Sequence, residues 1–471
     1  MLKKNNSATK PLWSSRFDKK PSSFLIDFTE SISFDKRLAI YDIKGSIAHV
    51  MMLKKQKIIP SKDAEIIIKA LKSIEKDIHK GIFSFRKDLE DIHMNIEYEL
   101  NRRIGKDIAG KVHTARSRND QVSVDTRMWL KDEIKKIINL LEKFILAVTD
   151  KAEEYSNLIM PGYTHLQQAQ PVLAGHYLMA HVEPLLRDRE IFYEAFKQTD
   201  VLPLGAGALA GVNYKIDRNF VAKILGFSKI SSNSMDTVSD RDYQAIFLFA
   251  CALCQVHLSR FAEDLIIFNT NEFSFIILDD AFTTGSSIMP NKKNPDILEL
   301  IRGKSSHVIA DLNGILVLLK GLPLTYNRDL QEDKPFIFHA ADTVERSLDI
   351  FSNLIQSIKF NQKAIQDAMN NSFILATDIA DYLVKKGVPF REAHRVCGAL
   401  VLDCIKKNRT FKEISLKEFK EFHSKFDSDI MEVLRLSTSV KSKLSSGSTN
   451  PDELKKQILN VRKKISLKYN L

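Results

Sequence analysis

The sequence predicts an all-α fold with three helical domains, and three observations support this prediction. The chain has only 17 Gly and 13 Pro among 471 residues, about half the usual share of turn-forming residues. Long segments such as 122–154 contain neither residue and repeat apolar side chains at spacings of three and four, which is the period of a helix. Hydrophobic residues make up 44% and charged residues 27% of the chain, as in ordinary folded proteins. A chain of this length can bury a core without disulfides.

The predicted elements follow the chain in three groups. Residues 1–30 are polar and predicted to be irregular, and residues 31–112 are predicted to form short helices, including an amphipathic one at 63–78. Long helices are predicted at 122–154, 172–199, 242–269, 295–319 and 343–358. Compact helices are predicted at 365–386, 390–407, 415–422 and 451–466. The domains are therefore expected at 1–112, 113–362 (a central bundle of long helices) and 363–471.

The helix predicted at 242–269 has apolar residues on all sides. Such a helix must lie inside a bundle or in a subunit interface. A monomer of this size would have difficulty covering several helices of this kind, so the sequence predicts an oligomer.

A net charge of +11 can indicate binding to nucleic acid or to an anionic membrane. The basic residues are scattered among acidic ones, as in residues 131–136 (KDEIKK), which is typical of solvated helix faces. We therefore expect neither a nucleic-acid nor a membrane partner. An anionic small substrate fits the charge equally well.

The four cysteines are too few for a disulfide framework. Cys251 and Cys254 form a CxxC motif, but they lie in the apolar run 245–254, so they are predicted to be core thiols rather than redox or metal-binding groups. That run is too short to cross a bilayer, and residues 1–13 lack the apolar segment of a secretory signal. The sequence therefore predicts a cytoplasmic protein.

The most unusual segment is residues 283–296 (TTGSSIMPNKKNPD). Its composition predicts a loop between two long helices, with Asn294 as the N-cap and Pro295 as the first residue of the next helix. Serines, lysines and the N–H groups of a helix N-terminus can together bind an anion. On this local chemistry alone, a merely solvated loop explains the segment about as well.

Residues 285–296 resemble the signature GSSxMPxKxNP of the fumarase/aspartase superfamily, whose members cleave a C–N or C–O bond in a succinyl compound and release fumarate. Other blocks resemble the argininosuccinate lyase family within that superfamily; they lie at residues 28–38, 111–122, 163–171, 203–211 and 326–334. The resemblance runs from about residue 11 to the C-terminus and is weakest after residue 363. Asn291 and Ala115 depart from the expected pattern, where Gln and Gly are common.

The resemblance implies cleavage of argininosuccinate to fumarate and arginine, with no cofactor and no metal. It implies that Ser286 is the base, acting as an alkoxide, and that Lys292 stabilises the dianionic carboxylate formed when the adjacent carbon loses its proton. His165 would supply the acid side of the reaction through Thr164 or a water, and Glu299 would orient the imidazole. Without the resemblance, His165 would be interpreted as a core histidine and Glu299 as an exposed helix residue.

The resemblance also implies a set of substrate-binding residues. These are Ser31, Ser117, Arg118, Asn119, Thr164 and Asn294 for the carboxylates and the amino-acid backbone, and Tyr326, Gln331 and Lys334 for the arginine end. The blocks that carry them are far apart in the chain, and an elongated bundle cannot bring them all together in one subunit. The family's homotetramer, with each active site shared between subunits, is therefore expected.

Three alternatives remain open from the sequence. The chain could be another fumarate-releasing lyase, such as an adenylosuccinate lyase, or an inactive structural homologue of the kind found among lens crystallins. Nucleic-acid binding through the net charge is the third alternative, although no motif supports it. The run GAGALAG at 205–211 is not a dinucleotide fingerprint, because no strand pattern precedes it.

Overall fold

The computed structural model describes residues 23–370 and 372–467, and in these ranges the chain is predominantly helical, which confirms the all-α prediction. The α-helices are α1 (Ser23–Thr29), α2 (Ile32–Asp35), α3 (Ala39–Lys55), α4 (Ser61–His79), α5 (Ile92–Ile104), α6 (Lys106–Ala109), α7 (Arg118–Glu154), α8 (Ala174–Thr199), α9 (Arg218–Leu225), α10 (Ser234–Ser239), α11 (Asp242–Asn269), α12 (Asp296–Leu319), α13 (Asp333–Ser357), α14 (Gln362–Asn370), α15 (Ala376–Lys385), α16 (Phe390–Lys406), α17 (Leu416–Phe422), α18 (Ile430–Val433), α19 (Leu436–Lys441) and α20 (Pro451–Ser466).

Short strands connect some of these helices. They are β1 (Ile159–Thr164), β2 (Gln167–Leu173), β3 (Val201–Leu202), β4 (Lys229–Ile230), β5 (Ile276–Ile277), β6 (Thr284–Gly285), β7 (Lys293–Asn294) and β8 (Lys359–Phe360). Strands β1 and β2 form an antiparallel hairpin, and the pairs β5–β8 and β6–β7 are also antiparallel, whereas β3 and β4 are parallel. The sequence predicted none of these strands, since most have only two residues.

The long helix α7 confirms the prediction made from its apolar period. The predicted stripe is buried along its length, from Ile134 (0% exposed) through Leu141 (0%) to Val148 (0%). The helix begins at Arg118, four residues before the predicted start. Ser117 makes this earlier start possible, because its hydroxyl accepts the N–H of Asn119 at 3.3 Å and so caps the first turn.

Three other boundaries were predicted wrongly. Residues 23–29 of the segment predicted to be irregular form α1, while residues 1–22 lie outside the described residues. Helix α13 begins at Asp333, ten residues before its predicted start, because Pro335 falls in the first turn, where a missing N–H costs no helical hydrogen bond. The helix predicted at 365–386 is instead two helices, α14 and α15.

The chain forms two compact units, each built from separate stretches of sequence. The first comprises the described residues of Met1–Lys136 with Phe192–Phe249 and Ala310–Ala341, and the second comprises Ile137–Ile191, Ala250–Ile309 and the described residues of Asp342–Leu471. The division into domains at 1–112, 113–362 and 363–471 stays a prediction.

Each unit has an aromatic core of its own. In the first unit, the Trp129 ring packs edge-on against Phe338 with centroids 4.5 Å apart. In the second unit, the rings of Phe144, Phe261 and Phe351 contact one another with centroids 5.0–6.3 Å apart. Burial of such large rings is a main stabilising contribution to a core.

Within the described ranges, α11 is the one helix long and apolar enough to cross a membrane, and 56% of its most apolar window is buried inside the protein. Cys251 and Cys254 lie on this helix and are both 0% exposed. Burial raises the pKa of the Cys254 thiol well above its ordinary value, so the thiol stays protonated. These two residues are core thiols, as predicted.

Candidate active site

Thr164 and His165 lie at the tip of the β1–β2 hairpin. Thr164 pairs with Gln167, so the loop consists only of His165 and Leu166, with φ of 54° and 55°. A two-residue hairpin loop with both φ values positive is normally made by Asn and Gly, and Leu rarely adopts this conformation. Backbone strain of this kind is concentrated at functional sites, and here it holds an exposed imidazole at the end of two strands.

A cavity of about 470 Å³ adjoins this hairpin within the second unit, and His165 and Arg260 are among the residues that line it. On its wall the Tyr177 hydroxyl donates to Asp264 at 3.4 Å, and His181 Nε2 lies 3.2 Å from the same carboxylate oxygen. Burial, together with the Asp264 carboxylate, raises the pKa of Tyr177 well above its ordinary value. The sequence did not predict this cavity, because its residues come from β1, β2, α8, α11 and the segment after α11.

The loop predicted at 283–296 is an ordered, narrow hairpin. Thr284 pairs with Asn294 and Gly285 with Lys293 across β6 and β7. The Lys293 ammonium group is held by the carbonyl of Leu278 at 2.6 Å. The two ends of the loop are therefore fixed to each other, and one of its two lysines is used to hold it.

The predicted cap of the following helix is wrong by one residue. Asn294 belongs to β7, and α12 begins at Asp296, with the Pro295 carbonyl accepting the N–H of Glu299 at 3.1 Å. Pro295 thus precedes the first helical residue. The Thr284 hydroxyl donates to the Asp296 carboxylate, which ties the start of the loop to the start of the helix.

Inside this loop, the Ser286 hydroxyl oxygen accepts two backbone hydrogen bonds. The donors are the N–H groups of Ile288 at 3.3 Å and Met289 at 3.1 Å. Two N–H groups directed at one oxygen stabilise negative charge on it. The loop therefore supplies the backbone part of what an alkoxide would need.

Among the described residues, the other predicted catalytic side chains make no hydrogen bond to Ser286. Lys292 and Glu299 are exposed, and neither side chain makes a hydrogen bond or ion pair with any residue that the structure describes. In the described part of the chain, no hydrogen bond joins His165 to Ser286 or to Glu299 either.

The remaining predicted residues lie in the first unit. Ser31 is buried, and its hydroxyl donates to Asp35 at 2.7 Å while its N–H donates to the carbonyl of Glu90 at 2.9 Å. Burial raises the pKa of Asp35 to about 6. The proton of Ser31 is therefore already engaged with a carboxylate of the chain, and sequence reasoning missed Asp35.

Arg118 and Gln331 lie near the same segment as Ser31. Arg118 Nε is 3.6 Å from an oxygen of Asp91, the residue after Glu90. Gln331 Nε2 donates to the carbonyl of Thr29 at 3.2 Å, two residues before Ser31. Three residues predicted from separate blocks thus lie around two short segments, 29–31 and 90–91.

Ser117 and Asn119 are tied to the glycine run through Asp120. Asp120 accepts the N–H of Ser117 at 3.0 Å and the N–H groups of Gly205 and Gly207 at 2.9 Å each. The side chain of Asn119 donates to the carbonyl of Ala208 at 3.1 Å. The glycine-rich loop therefore holds a carboxylate of its own chain, and the spacing Ser117-x-x-Asp120, typical of a helix cap, could have identified Asp120.

Lys334 is 4% exposed and does not extend into solvent. Its ammonium group donates to Asp333 at 2.5 Å and to the Leu330 carbonyl at 3.1 Å. Asp333 also accepts from Arg241, and burial raises the pKa of the nearby Tyr326. Arg241 was missed, because nothing in the run SDRDY around it distinguishes it from a surface arginine.

One group among the described residues could hold a metal ion. The ligand atoms of Asp42, His93 and Asp125 lie within 4.8 Å of one another, and all three side chains are buried. The sequence did not predict this group, because the three positions have no metal-ligand spacing.

Comparison with known proteins shows that the chain belongs to the lyase class. Residues 15–310 match the family model described as lyase. The fold is similar to EDDS lyase in complex with formate, at a TM-score of 0.84 and 28% identity over 94% of this chain and 89% of that one. It is also similar to class II fumarase from Schistosoma mansoni, at a TM-score of 0.70 and 18% identity over 86% and 92% of the two chains.

Residues 373–441 match the argininosuccinate lyase C-terminal model. The chain is 49% identical over 449 residues to argininosuccinate lyase of Sulfurihydrogenibium sp. (strain YO3AOP1), covering 95% of this chain and 97% of that protein. It is 49% identical over 460 residues to that of Syntrophus aciditrophicus (strain SB), covering 98% and 97%. The chain belongs to the argininosuccinate lyase family of the fumarase/aspartase superfamily.

Proposed function

We propose that this chain cleaves L-argininosuccinate to fumarate and L-arginine by base-catalysed elimination, in the cytoplasm. The single observation that carries the proposal is the 285–294 hairpin, in which two N–H groups are directed at the Ser286 oxygen. In the reaction, the base takes a proton from the carbon beside a carboxylate. The C–N bond then breaks, and the departing nitrogen takes a proton from an acid.

Ser286 is the proposed base. A serine hydroxyl is too weak a base by itself, so it needs stabilisation of its alkoxide form. The N–H groups of Ile288 and Met289 provide part of this stabilisation, and a nearby cation would provide more. Lys292 is the better candidate for that cation and for the substrate's carboxylate, because Lys293 is already bound to the Leu278 carbonyl.

The acid side of the reaction is assigned to His165, with Thr164 beside it and Glu299 orienting the imidazole. The exposure of these three side chains in one chain is consistent with a site completed by another subunit. The strained turn at His165 and Leu166 supports a functional rather than a structural role for the imidazole.

Substrate carboxylates and the amino-acid backbone are assigned to Ser31, Ser117, Arg118, Asn119 and Asn294. Arg118 suits bidentate recognition of a carboxylate. The arginine end of the substrate is assigned to a second group of residues. That group is Tyr326, Gln331 and Lys334.

The proposed assembly is a homotetramer with shared sites. Large apolar side chains are exposed along α12, including Leu300 (56%), Ile309 (45%) and Leu316 (53%). Ile309 and Leu316 are seven residues apart, about two helical turns, and so share a face. Covering such a face by a second copy would be the usual solution.

The first experiment mixes the purified protein with argininosuccinate and monitors the formation of fumarate by its ultraviolet absorbance. We expect wild type and the control S287A to form fumarate and S286A to form almost none. Ser287 is adjacent to Ser286, so the control isolates the hydroxyl that accepts the two N–H groups. Equal rates for S286A and S287A would contradict the assignment of the base, and fumarate from adenylosuccinate alone would contradict the substrate.

Shared sites are tested by mixing inactive variants. If His165 and Ser286 of one site come from different chains, reassembled mixtures of H165A and S286A should recover about a quarter of wild-type activity. The matched control mixes S286A with K292A, whose lost side chains lie in the same loop of one chain and should not complement each other. A confirmed tetramer without recovery in the first mixture would exclude this sharing.

A further inference from the structure

We propose that Asp42, His93 and Gln121 form a buried positioning network that fixes the guanidinium group of Arg118 for carboxylate recognition. The inference rests on the proposed function, because that function makes Arg118 a substrate-binding residue. None of the three residues belongs to the set predicted from the sequence.

The network is a continuous chain of hydrogen bonds in the first unit. His93 Nδ1 lies 2.9 Å from Asp42 Oδ1, and the side-chain N–H₂ of Gln121 donates to the same oxygen. At its other end, Gln121 Oε1 accepts from Arg118 Nη1 at 3.3 Å. The members Asp42, His93 and Gln121 are 1–3% exposed, so water does not compete for the two bonds to Asp42, whereas the Arg118 side chain at the end of the network is 31% exposed.

The polarity of the network determines how Gln121 is oriented. An ionised carboxylate only accepts hydrogen bonds, and a guanidinium group only donates them. Gln121 must therefore direct its N–H₂ toward Asp42 and its oxygen toward Arg118. With a different neighbour at position 42, the amide could turn over and direct N–H donors at the N–H donors of Arg118.

Asp42 stays ionised in this environment. Burial alone would raise its pKa, but the neighbouring His93 imidazole and the hydrogen bonds from His93 and Gln121 lower it below its ordinary value. Burial and the Asp42 carboxylate raise the pKa of Asp125 well above its ordinary value.

This charge balance disfavours a metal at Asp42, His93 and Asp125. Arg116 belongs to the same buried group: the carboxylates of Asp42 and Asp125 act on its charge, and its Nη1 donates to Ser46 at 2.8 Å. The Arg116 guanidinium thus already supplies positive charge to these carboxyl groups. A divalent cation would add further positive charge beside a guanidinium in a buried site.

The first test is a double-mutant cycle on the kinetics of argininosuccinate cleavage. D42N and Q121A should each raise KM about tenfold and change kcat by less than about threefold, because each misplaces a binding group rather than a reacting one. The double variant should be no worse than Q121A alone, since both changes break one chain of bonds. The matched control is T126V on the same helix. Among the residues that the structure describes, the buried Thr126 hydroxyl bonds only to the Val122 carbonyl, at 2.9 Å, and the KM of T126V should match wild type.

If the two effects multiplied, the KM of the double variant would rise about a hundredfold, and this result would overturn the proposal. A fall in kcat at unchanged KM would also overturn it. A crystal structure of the D42N protein gives a readout that does not depend on activity. We expect the Arg118 guanidinium to leave its position beside Gln121, and an unmoved guanidinium would overturn the proposal. Absence of fumarate from wild type would count against the proposed function alone, because the crystallographic result would still decide the network.

Discussion

Replacing Asp35 by Asn should change how the stability of this protein depends on pH. The carboxyl of Asp35 is 3% exposed, and burial raises its pKa from 3.8 to about 6. Between these two values the folded state binds more protons than the unfolded state, so the free energy of unfolding falls as pH rises. Asn carries no charge at any pH. The Asn side chain can still accept the Ile92 N–H and form a hydrogen bond with the Ser31 hydroxyl; these are the two partners of Asp35.

The size of the change in the free energy of unfolding follows from the shift in the pKa of Asp35. A displacement from 3.8 to about 6 corresponds to about 3 kcal/mol, at about 1.4 kcal/mol per pKa unit. For a chain of 471 residues, the entropy of unfolding makes 1 kcal/mol equivalent to about 1 °C in Tm. The D35N protein should therefore gain about 3 °C in Tm relative to wild type between pH 4 and pH 7.

Scanning calorimetry of both proteins across that pH range measures the difference directly. The control is D107N, which neutralises an exposed carboxyl group on α6 of the same unit and should show no such trend. A Tm difference between D35N and wild type that stays constant from pH 4 to pH 7 would refute the reasoning.

Four further predictions concern stability and can be measured by thermal or urea unfolding. A Cβ at Gly175 would lie 2.4 Å from the carbonyl oxygen of Ala152, so G175A should destabilise by about 1–3 kcal/mol. By contrast, G398A, where a Cβ meets nothing within 4 Å, should stabilise α16 by about 0.5–1 kcal/mol; equal effects would contradict the packing argument. D120A leaves three N–H groups without their acceptor and should cost about 1–3 kcal/mol for each one that stays buried; an unchanged Tm would show that water replaces the carboxylate. L166N should raise stability by about 1 kcal/mol, because Asn tolerates positive φ better than Leu; a lower Tm would show that Leu166 is needed for packing.

The long helices could be predicted from the sequence because their apolar period is unbroken. The buried stripe of α7 follows from this period alone, and the burial of Cys251 follows from the continuous apolar run 245–254. The predictions of secondary structure were wrong where a tertiary contact decides which element forms and where it begins. Strands β6 and β7 have two residues each, too few for any periodic signal, and the hairpin that they form moved the start of α12 to Asp296.

The same limit applies to the site. Ser286, His165 and Arg118 could be proposed from the sequence because each lies within a block that resembles the family. Gln121 lies in such a block too, but its partner Asp42 is 79 positions away. A pairing over that distance carries no local pattern. Positioning residues of this kind can be found only when the fold brings the two segments together.

The discontinuous build of the first unit has a consequence for synthesis on the ribosome. Its first stretch ends at Lys136, yet the unit also needs Phe192–Phe249 and Ala310–Ala341. At about 5–20 residues per second, some 10–40 s pass between the translation of Lys136 and that of Ala341. During this interval the apolar face of the Trp129 ring is not yet covered by Phe338, which packs against it in the folded unit. Chaperone binding to nascent chains should therefore be strongest before residue 341 emerges and decline after it.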